Sequence, residues 1–426
     1  MTGVGAGGAG GAVRPPRPAP PGKPRPDSLI AAALLTALVA VGPMSTDLYL
    51  PSLPALTRAL GTDVPTAQLT LSVFLAGFAL GMLAYGPLSD RYGRRPLLLA
   101  GVALYTAGSV ACALAPGIGV LIACRFVQAL GAACGPVLAR AVVRDVYGRE
   151  GAARVLAYMG MAMALAPMIG PVLGGQLTVW IGWRANFWAL TAFGAAGLAG
   201  VALLLVETNA RPDPDATRLA RLARNYASAL GHRGFVGYLL IVAMVYSGIF
   251  AFISGSSFLL VDALGLAPDL YGLCFAAVVV GYMAGSFGAG RLTRRLGIDR
   301  MIALGLVVGC AGGAVMAALA WTRPPGVLEA VAPYFVFMIG AGLVLPNAMA
   351  GGVGPFPRMA GLASSLLGFA QMGIAALVGI AVAHLTDGTA RPMAGALLLV
   401  CAAAAAAFLA LVRPAAVSGS APDGTA

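Results

Sequence analysis

The sequence predicts an all-α integral membrane protein whose twelve transmembrane helices form two six-helix, pseudo-symmetric bundles. The composition, the spacing of the apolar runs and an internal repeat predict this fold class. Hydrophobic residues make up 59% of the 426 residues and charged residues only 10%, and the mean hydropathy is +0.89. Soluble domains are roughly half apolar and about a quarter charged, so this chain is predicted to lie in a bilayer.

The first element of the prediction is a set of twelve apolar runs of about 20 residues, each long enough to cross the hydrocarbon core. They lie at 29–56, 66–88, 96–115, 119–140, 154–178, 185–206, 235–260, 270–290, 300–321, 331–351, 360–384 and 393–412. Twelve spans place both termini on the same side. Of the 27 basic residues, 22 lie on that side, so the positive-inside rule predicts cytoplasmic termini in the cell inner membrane.

The remaining composition limits the possible partners. The formal net charge is +12, but the arginines form short clusters between apolar runs rather than one basic face, which disfavours nucleic acid. The six cysteines lie in apolar segments without a CxxC pair, and neither His232 nor His384 has partners at metal-ligand spacing. We therefore expect no metal and no cofactor, and a monomer that works with protons, lipid and a small molecule.

The loop at 207–234 divides six spans from six. Its residues Leu219, Leu222, Tyr226 and Leu230 recur at helical spacing beside arginines, which predicts an amphipathic helix on the inner membrane surface. The predicted domains are a disordered cytoplasmic tail at 1–27, a first bundle at 28–206, this linker at 207–234, a second bundle at 235–413, and a second tail at 414–426.

An internal repeat relates the two halves. A shift of 204 residues places all six glycines between 60 and 102 on glycine: Gly61 on Gly265, Gly77 on Gly281, Gly81 on Gly285, Gly86 on Gly290, Gly93 on Gly297 and Gly101 on Gly305. The chain is therefore interpreted as a duplicated six-span unit. Two parallel repeats of this kind hold a substrate site near the bilayer midplane at their interface, so the sequence indicates a transporter.

One carboxylate, Asp47, lies in the apolar stretch "VGPMSTDLYLPSLPAL" at 41–56. The run Leu29 to Gly42 gives about 21 Å of helix, too short for a core of about 30 Å, so the span must continue through Asp47. An acid there costs about 2.5 to 3.5 kcal/mol and is expected to face an interior cavity. Burial favours its neutral form, which lets it take and release a proton. The alternative is a structural bond to a neighbouring helix.

Arg125 is the other charge placed deep in a span, and Gln128 follows on its helical face. A buried cation near a buried acid either pairs with that acid or biases its protonation. Asp47 and Arg125 are therefore the predicted proton-coupling residues. The alternative for Arg125 is a side chain that extends outward to the membrane surface.

The turn "GPLSDRYGRRP" at 86–96 is predicted to act as a conformational latch. Its glycines permit tight packing and a sharp reversal, while Asp90 can bond a helix N-terminus or an arginine. A plain positive-inside loop would explain Arg94 and Arg95 but not the acid and two glycines. The predicted latch residues are Gly86, Asp90, Arg91, Gly93, Arg94 and Arg95.

Three stretches carry a resemblance to a known family. "GPLSDRYGRR" resembles the signature turn of the major facilitator superfamily, and "RFVQALGAACGPVLARAVVRD" resembles its fourth-span motif, whose arginine, here Arg125, is linked in that family to proton coupling. "APMIGPVLGG" at 166–175 is similar to the fifth-span motif of drug:proton antiporters. The matching residues of that antiporter motif are Gly170, Pro171, Gly174 and Gly175.

A narrower resemblance, over 29–413, is to the Bcr/CflA branch, which includes bicyclomycin and chloramphenicol exporters. It rests on "STDLYLPSLPAL", "ARAVVRD" and "PNAMAGGVGPFPRMAGLASSLLGFAQMG". The resemblance implies that Asp47 is the protonated, substrate-linked acid and that the Asp90 turn is a latch. The second half has Arg294 where the first has Asp90, so no matching latch is expected there.

The substrate cavity should be mostly apolar and aromatic, with few polar groups. Ordinary helix packing is the alternative role for each aromatic candidate. The candidates are Tyr49, Phe74, Phe78, Gln128, Tyr246, Phe250, Asn347 and Gln371.

The predicted function is a proton-coupled antiporter that exports a drug or antibiotic, an amphiphile like chloramphenicol or bicyclomycin, by alternating access. A proton-coupled transporter of a metabolite such as a sugar or amino acid is the alternative. An enzyme is not expected, because the chain has no His/Asp/Glu group, phosphate loop or carboxylate pair near the interface. A scaffold would not need an intramembrane acid.

Overall fold

The computed structural model describes residues 28–210, 212–356 and 359–413, without the side chains at 148–154, 157–158, 161–162 and 164. The predicted tails at 1–27 and 414–426 lie outside the described residues. The α-helices of the described chain are α1 (Leu29–Asp47), α2 (Leu53–Ala59), α3 (Val64–Tyr92), α4 (Arg94–Leu114), α5 (Ile118–Ala132), α6 (Cys134–Trp180), α7 (Arg184–Leu204), α8 (Leu219–Leu230), α9 (Arg233–Ser257), α10 (Pro268–Leu296), α11 (Ile298–Thr322), α12 (Val327–Val353), α13 (Ala360–Leu385) and α14 (Arg391–Ala407).

Eleven helical segments of the described chain are long and apolar enough to cross a membrane. The remaining predicted span, 154–178, lies in α6. Although α6 is helical from Cys134 to Trp180, the Arg140 Nη2 lies 3.7 Å from the Met163 sulfur. A straight helix would separate these residues by about 34 Å, so the chain turns back between them. The predicted twelve-span, all-α fold is confirmed.

The first span bends where Asp47 lies. Helix α1 ends at Asp47, a short 3₁₀ turn follows over Leu50–Ser52, and α2 continues to Ala59. Pro51 lies in this turn and Pro54 at the start of α2, where a residue without a backbone N–H is tolerated. The apolar segment therefore runs from Leu29 to Ala59 and carries Asp47 inside it.

The internal repeat is present in three dimensions as matched helix contacts. A Cβ on Gly131 would lie 2.6 Å from the Gly101 carbonyl oxygen, and one on Gly340 would lie 2.5 Å from the Gly305 oxygen. Gly101 and Gly305 are related by the 204-residue shift, whereas Gly131 and Gly340 are 209 residues apart. The second half therefore carries five extra residues between its third and fourth spans, and the close helix approach is conserved between the repeats.

The two halves meet mainly through α3 with α13 and α6 with α10. Hydrogen bonds join the halves at the end of the bundle away from the α3–α4 turn. Gln68 donates to the Ser254 carbonyl at 2.6 Å, and Ser257 donates to the Leu50 carbonyl at 2.7 Å. We call the end with the α3–α4 turn and α8 the arginine-rich end, and the other the opposite end.

Candidate functional site

A cavity of about 340 Å³ lies between the two halves, within the size range of small-molecule sites. Helices α1, α3 and α6 form one wall, and α9, α10, α12 and α13 form the other. The lining is mostly apolar. Asp47 and Arg140 are the charged side chains among the described residues that line it.

Asp47 is the last residue of α1 and is only 3% exposed. The Thr46 hydroxyl donates a hydrogen bond of 3.0 Å to its Oδ1. Within the described chain no basic side chain reaches within 4 Å of this carboxylate. The acid is thus buried at the cavity wall, where its partner among the described side chains is one hydroxyl group and not a cation.

Arg125, in α5, is fully buried and does not line the cavity. Its Nη1 donates to the Ser45 carbonyl at 3.0 Å and to the Gln128 Oε1 at 2.6 Å, and its Nε donates to the Thr70 carbonyl at 3.4 Å. These acceptors are neutral, so dipoles rather than a carboxylate surround the guanidinium among the described residues.

Aromatic rings complete the surroundings of Arg125. Its guanidinium carbon lies 4.2 Å from the centre of the Phe74 ring, 4.6 Å from that of Tyr49 and 5.8 Å from that of Phe187. Desolvated contacts of this kind contribute about 2 kcal/mol or more. Phe74 also lines the cavity, so this ring separates the cation from the cavity.

The second half has an uncharged counterpart of the Arg125 site. Tyr334 is 209 residues from Arg125, and its hydroxyl donates at 3.3 Å to the Ile249 carbonyl, which is 204 residues from Ser45. The Tyr334 ring stacks on Phe252 with centroids 3.7 Å apart. An aromatic stack therefore replaces the buried cation, and the polar centre belongs to the first half.

The "GPVLGG" motif packs against the end of α1 that carries Asp47. A Cβ on Gly170 would lie 3.2 Å from the Asp47 Cβ, and one on Gly174 would overlap the Leu48 carbonyl oxygen. Only glycine allows so close an approach of the two backbones. The motif thus forms the surface on which the Asp47 end of α1 rests.

The same motif also contacts the second half. A Cβ on Gly175 would lie 2.9 Å from the Asp269 Cα in α10, and the Pro171 carbonyl packs against Gly272 of the same helix. The motif is therefore placed between Asp47 and the other bundle.

Four of the eight predicted cavity residues line the cavity, and they come from both halves. Phe74 and Phe78 stack on each other on α3, with centroids 6.1 Å apart. Tyr246 and Gln371 lie opposite, on α9 and α13. Sequence analysis missed the neighbouring Thr46 and a group of methionines that also line it. These are Met82, Met163, Met338, Met349 and Met372.

The other four predicted cavity residues are buried elsewhere. The Tyr49 hydroxyl bonds Thr70 at 2.6 Å, and Gln128 donates to Ser109 at 2.7 Å beside Arg125. Asn347 accepts from Thr293 at 2.9 Å, and Phe250 stacks on Tyr246 away from the lining. These side chains therefore belong to helix packing in this structure and not to the cavity wall.

The 86–95 turn, by contrast, is held by charged side chains from several elements. The Arg94 guanidinium bonds Asp90 at 2.6 Å and Asp145 at 3.1 Å. Gly93 has a φ of +99°, which glycine adopts without strain, and it separates α3 from α4. A Cβ on Gly86 would meet no described neighbour within 4 Å, so the described residues do not form the tight packing predicted at that glycine.

Glu207 caps the helix that follows the turn. Its two carboxylate oxygens accept from the backbone N–H groups of Arg94 and Arg95 at 2.9 and 3.1 Å, as anions favour a helix N-terminus. Arg91 donates to Thr217 at 2.6 Å, and Arg95 donates to the Ala202 carbonyl at 3.0 Å. Sequence analysis missed Glu207 and Asp145. Asp145 ends the quoted fourth-span motif, but Glu207 had no signal, because it caps α4 from a loop over a hundred residues away.

A twelve-span fold of two repeats around a central cavity defines a membrane transporter. The Major Facilitator Superfamily model matches residues 35–380, and the chain belongs to this superfamily. The predicted family resemblance is confirmed, and the protein is a multi-pass membrane transporter and not an enzyme.

Individual relatives cover most of the chain. Multidrug resistance protein D of Escherichia coli is 31% identical over 338 residues, which cover 79% of this chain and 84% of that protein. The bicyclomycin resistance protein homolog of Haemophilus influenzae is 29% identical over 358 residues, covering 82% and 88%. A solved structure of the peptide transporter POT with sulfate aligns with a TM-score of 0.75 at 15% identity, covering 93% and 95%; this likeness shows the fold alone.

Proposed function

We propose that this protein is a proton-coupled antiporter that exports a drug or antibiotic, an amphiphile like chloramphenicol or bicyclomycin, by alternating access. The observation that carries the proposal is Asp47, a buried carboxylate at the wall of an apolar cavity between the halves, with no cation partner among the described residues. Such an intramembrane acid marks a proton or substrate pathway. The names of the relatives from E. coli and H. influenzae support a drug as the substrate.

In this proposal the arginine-rich end faces the cytoplasm, in the inner membrane, and the protein works as a monomer. Substrate entering from the cytoplasm favours loss of the Asp47 proton, and protonation from outside favours release of substrate. One proton moving down about 100 mV supplies roughly 2.3 kcal/mol. The proton and the substrate therefore compete within one conformational cycle.

The named residues have distinct roles in this cycle. Asp47 carries the proton. Arg125 donates to the Ser45 carbonyl and so fixes the part of α1 that precedes Asp47. Phe74, Phe78, Tyr246 and Gln371 contact the substrate. The antiporter motif transmits the state of the Asp47 region to α10, and the 86–95 turn with Asp145 and Glu207 acts as the latch at the cytoplasmic end.

The test is drug resistance in a host that lacks its own efflux pumps. Minimum inhibitory concentrations of chloramphenicol, florfenicol and bicyclomycin are compared between cells with wild type and cells with Asp47→Asn at matched membrane levels. Wild type should raise resistance to at least one compound, and Asp47→Asn should not. Equal protection by both proteins would contradict the role of Asp47, and no protection by wild type would contradict export of chloramphenicol- or bicyclomycin-like drugs.

A further inference from the structure

Arg140 is a charged cavity residue that the proposed cycle does not use. It lies in α6, half-buried, and its side chain lines the cavity together with Asp47. Its guanidinium contacts the Met163 sulfur at 3.7 Å, which is a weak acceptor. No carboxylate of the described residues lies within 4 Å of Arg140.

Arg140 and Asp47 lie toward opposite ends of the cavity. The first limb of α6 runs antiparallel to α1: a Cβ on Gly135 would touch the Leu38 carbonyl, and the Tyr147 hydroxyl donates to the Ser28 carbonyl at 3.3 Å. Arg140 is therefore level with a residue near position 34 of α1. Its Cα lies about 20 Å along the helix axis from that of Asp47, toward the arginine-rich end.

Among the described residues, Arg140 has no strong hydrogen-bond acceptor. A guanidinium that faces an apolar cavity loses hydration, and this loss is offset only when an acceptor takes its N–H groups. The planar fork of arginine matches the two oxygens of a carboxylate and forms charge-assisted, bidentate hydrogen bonds with it. Asp47 is too far away to serve as that acceptor.

We infer that Arg140 is an anion-recognition residue of the cavity, and that amphiphiles with a carboxylate at one end of an apolar body are a substrate class beside the neutral drugs of the proposed function. The inference rests on the proposed export function and adds the substrate class. A lipophilic cation is disfavoured at the same position, because its charge would lie beside the guanidinium.

The rest of the cavity lining indicates that carboxylate substrates are selected by the position of their charge and not by the shape of their apolar body. Five methionines and two stacked phenylalanines line it. Methionine side chains are flexible and polarisable and adapt to different ligand outlines. The apolar body of the substrate can therefore vary, while Arg140 provides a fixed point of recognition.

The test is equilibrium binding to purified protein in lipid nanodiscs. The probes are nalidixic acid and two other aromatic carboxylates of different size, each paired with its own methyl ester, which removes the charge. The proteins are wild type, Arg140→Gln, Arg140→Lys and the control Arg144→Gln, which changes an exposed arginine one turn further along α6.

Wild type and Arg144→Gln should bind the carboxylates about tenfold more tightly than the esters. Arg140→Gln should remove this preference and leave ester binding within about threefold, and Arg140→Lys should keep part of it. The inference is overturned if wild type binds acid and ester equally, if it binds no carboxylate, if Arg140→Gln keeps the preference, or if that variant loses acid and ester binding alike.

These outcomes are separate from those of the proposed function. Export is measured with the same wild-type protein in proteoliposomes under an imposed proton gradient. Export of esters without a preference for acids overturns the role of Arg140 and leaves the exporter proposal standing. If no drug is exported, the exporter proposal fails, while the binding comparison still decides whether Arg140 recognises a carboxylate.

Discussion

Asp47 and Arg125 lie on different sides of the end of α1 and do not form an ion pair. Arg125 bonds the Ser45 carbonyl at 3.0 Å, whereas Asp47, two residues and about 200° further around the helix, faces the cavity. The cation therefore fixes the backbone beside the acid without neutralising it. This leaves the Asp47 carboxylate available to a proton or a substrate.

The first prediction concerns the proton site. Asp47→Asn removes the ionisable group while keeping its size, so a neutral drug such as chloramphenicol, added to purified protein, should no longer release a proton. Asp47→Glu keeps the ionisable group and should retain part of the release. The measurement uses a pH-sensitive dye in weakly buffered solution. If Asp47→Asn released as many protons as wild type, the proton would be carried by another group.

The second prediction is that replacing Arg125 by lysine, which keeps the positive charge, destabilises the protein. Lysine lacks the planar fork whose Nη1 reaches the Ser45 carbonyl and Gln128 while its Nε reaches the Thr70 carbonyl. Arg125→Lys should therefore lower the free energy of unfolding by about 1 to 3 kcal/mol. Thermal melting in detergent measures the change. Arg323→Lys, in the exposed α11–α12 loop, is the control, and equal melting temperatures for both variants would refute the prediction.

The antiporter motif gives a third prediction. Gly174→Ala places a methyl group on the Leu48 carbonyl, and overpacking of this kind costs about 1 to 3 kcal/mol. Export should fall at least about tenfold, because the Asp47 end of α1 can no longer rest on this surface. Gly373→Ala is the matched control, since its Cβ meets no neighbour within 4 Å. Wild-type export by Gly174→Ala would show that the close approach is dispensable.

The stability of the turn at the arginine-rich end should depend more on Asp145 than on Asp90. Both carboxylates bond Arg94, but the Asp145 side chain is 26% exposed and that of Asp90 is 50% exposed. Exposed ion pairs contribute about 0 to 1 kcal/mol, whereas removing one partner of a buried pair costs more. Asp145→Asn should therefore lower the melting temperature further than Asp90→Asn, and the reverse order would contradict this assignment.

At the opposite end, Arg58 and Asp262 form an ion pair of 2.8 Å between the two halves. They are 204 residues apart, so they are equivalent positions of the repeat. Arg58→Glu should replace attraction by repulsion and open this end, which a cysteine-reactive probe on an engineered nearby site would detect.

Because the pair is exposed, the expected change in the open population is no more than about fivefold. The double variant Arg58→Glu with Asp262→Arg restores opposite charges and should restore wild-type labelling. Labelling that stays high in the double variant would show that the effect is not electrostatic.

Features that depend on the composition of the chain and on the order of its residues could be predicted from the sequence. Asp47 could be placed inside a span, because an apolar run that is too short must continue through the acid. The glycine repeat was visible because helix packing requires small residues at matching positions. The Tyr334 counterpart of Arg125 was not visible, since the register changes from 204 to 209 between the third and fourth spans.

Arg140 was not predicted as a cavity residue. It ends the predicted span at 119–140, yet α6 continues past it and Tyr147 still packs against Ser28 at the start of α1. Packing against neighbouring helices sets the tilt and rotation of a membrane helix, so the last apolar residue of a run does not mark where the helix stops facing the cavity.

By itself, the sequence determined that this chain lies in a bilayer as two repeats of six spans with an acid in the first, because hydrophobicity and length fix these properties locally. Only the tertiary structure decided which side chains face the cavity, that Arg125 and Asp47 are apart, and that Glu207 caps α4. Helices in lipid are apolar on every face, so no periodicity marks the side that faces the substrate. Contacts between residues distant in the chain determine that side.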